Sequence, residues 1–218
     1  MSTTGITRIR HNRIELAVHT LREGNGRHLL LLHGLGEQSP TSVPAYAASW
    51  AGPVYALDFT GHGASDVPKG GGYSAEILMA DADVTLAELG PATVVGRGLG
   101  AYVALLLAGA RPDLVRGAVL SDGPGLWGGP SGPTSSSVVV LEPAAATPDP
   151  YALYEMSRDL RPRDYASLFA RLAMEHSGLA EPITVTAFIR PPWLDAVVDE
   201  VGVVEGTVES ALATYGAL

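Results

Sequence analysis

Cysteine is absent from the 218 residues. That excludes disulfides, thiolate metal sites and a cysteine nucleophile. Basic residues are scarce beside acidic ones, 14 against 23, for a formal net charge of −9 with no basic cluster. A nucleic-acid partner is therefore not expected. No apolar run approaches the ~18 residues free of glycine and charge that a membrane span requires. The N-terminal MSTTGITRIRHN lacks a signal-peptide core, so the expected setting is soluble and cytoplasmic. Histidine stops at His176. No cofactor is implied and no metal-ligand spacing is visible.

What is present is an ordinary single-domain length with 46% hydrophobic residues, enough for a substantial core. Alternation over Ile6–Ile9 and Ile14–Thr20 around Asn12 predicts an antiparallel hairpin. Apolar strands follow at His28–Leu32, Val54–Leu57, Thr93–Val95, Val115–Leu120 and Ile183–Ile189, with a brief one near Val201–Val204. Between them lie a short helix over Pro44–Trp50 and one over Ala75–Leu89, N-capped by Ser74. Another follows Gly100, and short helices are expected over Trp193–Val198 and Thr207–Tyr215. Strands alternating with helices at this spacing give an α/β fold with a mostly parallel sheet of about eight strands, covered on both faces. Residues 124–181 break the pattern. Leu126–Pro148 reads as loop, and helices are expected from Asp149-Pro150 to about Leu160 and from Asp164 to His176.

The centre of the chain is Ala92–Ala110, a buried strand, a glycine-rich turn Gly96-Arg97-Gly98-Leu99-Gly100 and a wholly apolar helix. His33-Gly34-Leu35-Gly36 ends an earlier strand. Asp58-Phe59-Thr60-Gly61-His62-Gly63-Ala64-Ser65 ends the next, and Arg111-Pro112-Asp113-Leu114-Val115 follows the apolar helix. Together and in this order these motifs resemble the α/β-hydrolase superfamily, in its esterase and lyase-like branch. The resemblance implies a core of residues 1–123 and 182–218 and a helical cap over 124–181. It makes His33–Gly36 the oxyanion-hole turn and Gly96–Gly100 the nucleophile elbow, G-x-S-x-G.

A serine hydrolase needs a hydroxyl, a histidine to take its proton and an acid to orient the histidine. At the nucleophile position this sequence has Gly98. Arg190 stands at the acid position, in Phe188-Ile189-Arg190-Pro191-Pro192. The loop that should carry the histidine reads Glu205-Gly206-Thr207. The resemblance thus points to a homologue with a degenerate triad, a pseudohydrolase that binds a small molecule. Asp122 and His176 are the weak substitutes, each read more simply as a turn aspartate and a solvated helix-end histidine. His33 and His62 read as turn-shaping residues. Gly34, Leu35, Gly98, Leu99 and Arg190 are the candidate ligand site. Two backbone N–H groups, a helix N-terminus and a guanidinium suit an anion there. An unconventional esterase remains an alternative. So does a dinucleotide site, because Gly96–Ala101 fits G-x-G-x-x-A with Asp122 ending the next strand.

Overall fold

The computed structural model describes residues 5–130, 141 and 146–218. Most of the loop expected over 126–148 lies outside the described residues. Eight strands form one sheet in the order β1-β2-β4-β3-β5-β6-β7-β8. β1 (Gly5–His11) and β2 (Ile14–Arg22) form the hairpin, turning at Asn12 with φ +56°. β2 also runs antiparallel to β4 (Val54–Asp58). β3 (His28–Leu32), β4, β5 (Ala92–Arg97), β6 (Val115–Ser121), β7 (Ile183–Val185) and β8 (Val203–Glu205) are mutually parallel. All six therefore end at the same edge, and that edge collects the loops of interest.

The period-2 geometry of a strand divides the core between two faces. On β3, Leu30 and Leu32 face a cluster with α1 (Ala75–Leu89), α2 (Leu99–Ala110), α4 (Arg163–His176) and α5 (Pro192–Val198). Leu29 and Leu31 face Trp50, a single 3-10 turn at Ala45–Ala47, and α6 (Val208–Gly216). α2 is buried along almost its whole length, which is why its sequence has no polar face. α1 begins as read, with the Ser74 hydroxyl accepting from the Ile77 amide.

The two helices expected as a cap part company. α3 (Pro150–Met156) sits on the loops of the C-terminal edge. Its Glu155 accepts from the Gly72 and Tyr73 amides, and Asp149 takes the Tyr73 hydroxyl at 2.6 Å. It ends earlier than Leu160, because residues 158–161 turn away to meet the 125–129 loop. α4 lies beside α2 and α5 in the helical layer instead. Gly109 permits this, since a Cβ there would come within 2.6 Å of the Phe169 carbonyl oxygen. β7 is also shorter than the reading over Ile183–Ile189. The Thr186 and Ala187 amides both converge on the Leu120 carbonyl, ending the ladder.

Candidate functional site

The turn after β5 has elbow geometry. Gly98 holds φ +58° and ψ −116°, a region costly for any residue with a Cβ, and the next residue opens α2. The turn after β3 packs beside it through two buried histidines. His33 accepts from the Phe59 amide at Nε2 and donates from Nδ1 to the Gly34 carbonyl. His62 accepts from the Gly36 amide and donates to the Thr60 carbonyl. Each ring is thus held neutral in one tautomer. Burial draws His33 down to about 4, helped by the neighbouring His62, and lowers His62 as well. Both shape turns, as the sequence suggested.

Asp58, at the end of β4, ties the next loop. It accepts from the amides of Ser39 at 2.6 Å and Ala64 at 2.8 Å and from His19 at 2.8 Å. Burial alone would raise its pKa. The amide hydrogen bonds and His19 outweigh that and hold the carboxyl below its usual range.

The amides of Leu35 and Leu99, the two groups expected to line an oxyanion hole, point at one oxygen. It belongs to the chain itself. The Pro124 carbonyl accepts from Leu35 at 3.0 Å and from Leu99 at 2.9 Å. The same segment fills the space where an elbow side chain would start. A Cβ on Gly98 would lie 2.1 Å from the Pro124 oxygen and 2.6 Å from the Gly123 carbonyl carbon. Glu37 and Arg97 brace this arrangement. Glu37 accepts from the Gly34 amide at 3.0 Å and from Arg97 Nε at 3.0 and 3.1 Å, while Arg97 Nη1 donates to the Asp122 carbonyl.

Of the residues singled out in the sequence, Gly34, Leu35, Gly98 and Leu99 do come together. The others do not join them as an anion site. Arg190 turns to Glu205, 2.6 Å away across the ends of β7 and β8, because that carboxylate is within reach and neutralises it. The Asp122 carboxylate accepts from the Phe188 and Ile189 amides at 2.7 and 3.0 Å, fastening the loop after β7 to the end of β6 and not capping a turn of its own. His176 is the exposed helix-end histidine of the simpler reading. It ends α4 at the opposite edge of the sheet, where the next residue, Ser177, accepts from Arg116 near the start of β6. The dinucleotide alternative fails on the same contacts. Pro124 occupies the first amide of α2, and Asp122 is engaged by the loop after β7. Among the described residues no group of three or more histidines and carboxylates is placed to hold a metal, and no helix is long and apolar enough to cross a membrane.

Sequence reasoning missed Pro124 and Glu37. The signal was a proline between two glycines, Gly123-Pro124-Gly125, directly after a strand end. Such a segment can approach other backbone closely, but nothing local says which backbone.

Fold and motif geometry together define an α/β-hydrolase scaffold. The chain belongs to the Alpha/beta hydrolase family, which it matches over residues 29–212. It is 35% identical over 109 residues to the esterase Rv0045c of Mycobacterium tuberculosis, covering 49% of this chain and 36% of that protein. Similarity of the same order extends to a 2-hydroxymuconate semialdehyde hydrolase of Pseudomonas putida, 36% over 103 residues, covering 45% and 37%. The chain thus aligns with little more than a third of the length of these relatives. Among solved structures, the thioesterase domain from the curacin biosynthetic pathway superposes with a TM-score of 0.62 at 16% identity, covering 99% of this chain and 98% of that one. An N-formylmaleamic acid deformylase from Pseudomonas putida S16 gives 0.63 at 14%, covering 94% and 92%. At these identities the likeness is one of fold.

Proposed function

We propose that this chain is a pseudohydrolase, a member of the hydrolase family that binds a small molecule and carries out no acyl transfer at its elbow. One observation carries the reading. The Pro124 carbonyl occupies both amides that would stabilise an oxyanion, and its segment fills the volume of the missing nucleophile side chain. An oxyanion hole works by offering unsatisfied donors to developing charge, and donors already paired offer nothing. Gly98 supplies no hydroxyl, Arg190 no carboxylate, and Glu205-Gly206-Thr207 no base.

The esterase and hydrolase names of the relatives favour a second reading, in which the chain hydrolyses a small ester by other groups. That reading has to find a nucleophile and base elsewhere, with Asp122 bound to two amides and His176 at the far edge. A panel of activated short-chain esters with a fluorophosphonate probe separates the two. The binding reading expects turnover at background and no covalent label. Turnover that disappears on mutating Asp122 or His176 overturns it. A thermal-shift screen then tests binding, since a ligand of the native state raises stability as RT ln(1 + [L]/Kd).

A further inference from the structure

Behind the 123–129 loop lies a cavity of about 340 Å³, lined by Trp127, Leu160, Arg161, Pro162 and Trp193 among others. That is within the roughly 300–1,000 Å³ of small-molecule pockets. Arg161 is its one cation and is only 7% exposed. Nη1 is satisfied, donating to the carbonyls of Gly125 at 2.5 Å and Leu126 at 2.6 Å. One face of the guanidinium is stacked on the Tyr102 ring, 4.8 Å from its centroid. Nε and Nη2, by contrast, are buried without any acceptor. Asp159 lends its charge from a distance, but no ion pair closes between them, and its own Oδ2 is likewise unpartnered.

Buried charged donors without acceptors are rare because leaving water uncompensated is costly. Nε–H and Nη2–H lie along one edge of the guanidinium plane, and two parallel donors there match the two oxygens of a carboxylate. The remaining wall is apolar. Trp127 and Leu160 are each 59% exposed although both are large and hydrophobic, and Trp193 is buried with its indole N–H on the Leu126 carbonyl. An apolar wall beside a half-satisfied cation suits a monoanion with a hydrophobic body. It does not suit a highly charged phosphate, for which one arginine is little counter-charge.

We propose that this cavity binds a small organic carboxylic acid, its carboxylate on the Nε–Nη2 edge of Arg161 and its apolar body against Trp127, Leu160 and Trp193. This rests on the small-molecule-binding reading above and names its site and ligand class. The site is distinct from the elbow, with the Gly125–Leu126 backbone standing between them.

Trp127 and Trp193 make the test direct, because both line the cavity and report by fluorescence. Hexanoate and phenylacetate are titrated against hexanamide and phenylacetamide, which keep the shape and lose the charge. The acids are expected to saturate with an affinity ~10-fold or more above the amides, the discrimination a bidentate charged pair supplies. Arg161→Gln should bring acids and amides level. Should Arg161→Gln fail to fold, Arg161→Lys serves instead, keeping the buried charge but losing the paired Nε–Nη2 donors, and should narrow the gap between acids and amides. Acids and amides binding alike, or no saturable response to either, overturns the proposal. In the first case small-molecule binding itself survives. Ester turnover would sink the non-catalytic reading and leave this titration untouched.

Discussion

The carbonyl oxygen of Pro124 lies 2.9 Å from the amide nitrogen of Leu99, the first residue of α2, and shares itself with Leu35 at 3.0 Å. Two loops from different strands are thereby joined through an acceptor supplied by a third. At the helix N-terminus, which carries partial positive charge and orphan N–H groups, the first amide is thereby satisfied from within the chain.

The first consequence concerns Gly98. Alanine or serine there meets both a positive φ and the backbone of Gly123 and Pro124, which cannot swing aside as a flexible side chain would. Gly98→Ser should cost about 2–4 kcal/mol in denaturant unfolding and gain no esterase activity. Wild-type stability, or labelling of the new serine by a fluorophosphonate, would mean that the 123–125 segment leaves the elbow readily.

Asp122 is expected to hold the loop after β7 and not to act on a substrate. Asp122→Ala removes the acceptor of two amides and should destabilise by roughly 1–2 kcal/mol. Hydrogen exchange should quicken at Phe188 and Ile189 in particular. A change in ester turnover without faster exchange there would assign the carboxylate a chemical role.

Arg190 pairs with a largely exposed Glu205, so Arg190→Ala should change stability by no more than about 1 kcal/mol. Sulfate and phosphate should shift the melting temperatures of wild type and variant equally. A saturable shift lost only in the variant would restore the anion site inferred from the sequence.

The buried histidines set an acid limit. His33 titrates near 4 and His62 below its ordinary value, both because burial disfavours the cation. A depressed histidine contributes stability that is fully present above about pH 6.5 and lost as pH falls toward the folded value. His33 alone should remove on the order of 3 kcal/mol by pH 4. Imidazole NMR titration reads this directly, and a His33 midpoint near 6.5 in the folded protein would contradict it.

Asp159 carries the opposite sign. Burial raises its carboxyl to about 6, against the pull of Arg161. A raised carboxyl is best accommodated below its unfolded value and opposes folding as pH climbs through 6. Asp159→Asn should therefore be more stable than wild type at pH 7 and equal to it below about pH 4. Equal stabilities at both pH values would show that the group is solvated.

Much of the fold was legible because its signals are local. The alternation around Asn12, the Ser74 cap and the Asp149-Pro150 helix start each depend on a few neighbouring residues, and each element stands where it was read. The ends of β7 and α3 were misjudged because long-range bonds set them, from Leu120 to Thr186 and Ala187 and from Gly129 to Asp159.

The sequence alone determined that the turn after β5 carries glycine at position 98. It also determined that Gly34, Leu35, Gly98 and Leu99 belong to turns at strand ends, since glycine-rich turns after β-branched runs admit little else. Only the tertiary structure decided what those turns face. Backbone carbonyls are the same in every residue, so no pattern of side chains could announce that the Pro124 oxygen would occupy both amides. Nor could sequence separate Arg190, which finds Glu205, from Arg161, whose Nε and Nη2 find no acceptor. Both are arginines beside prolines. Which of them closes an ion pair is settled by the distance to a carboxylate in folded space, although Arg190 too keeps one buried donor, Nη1, without an acceptor.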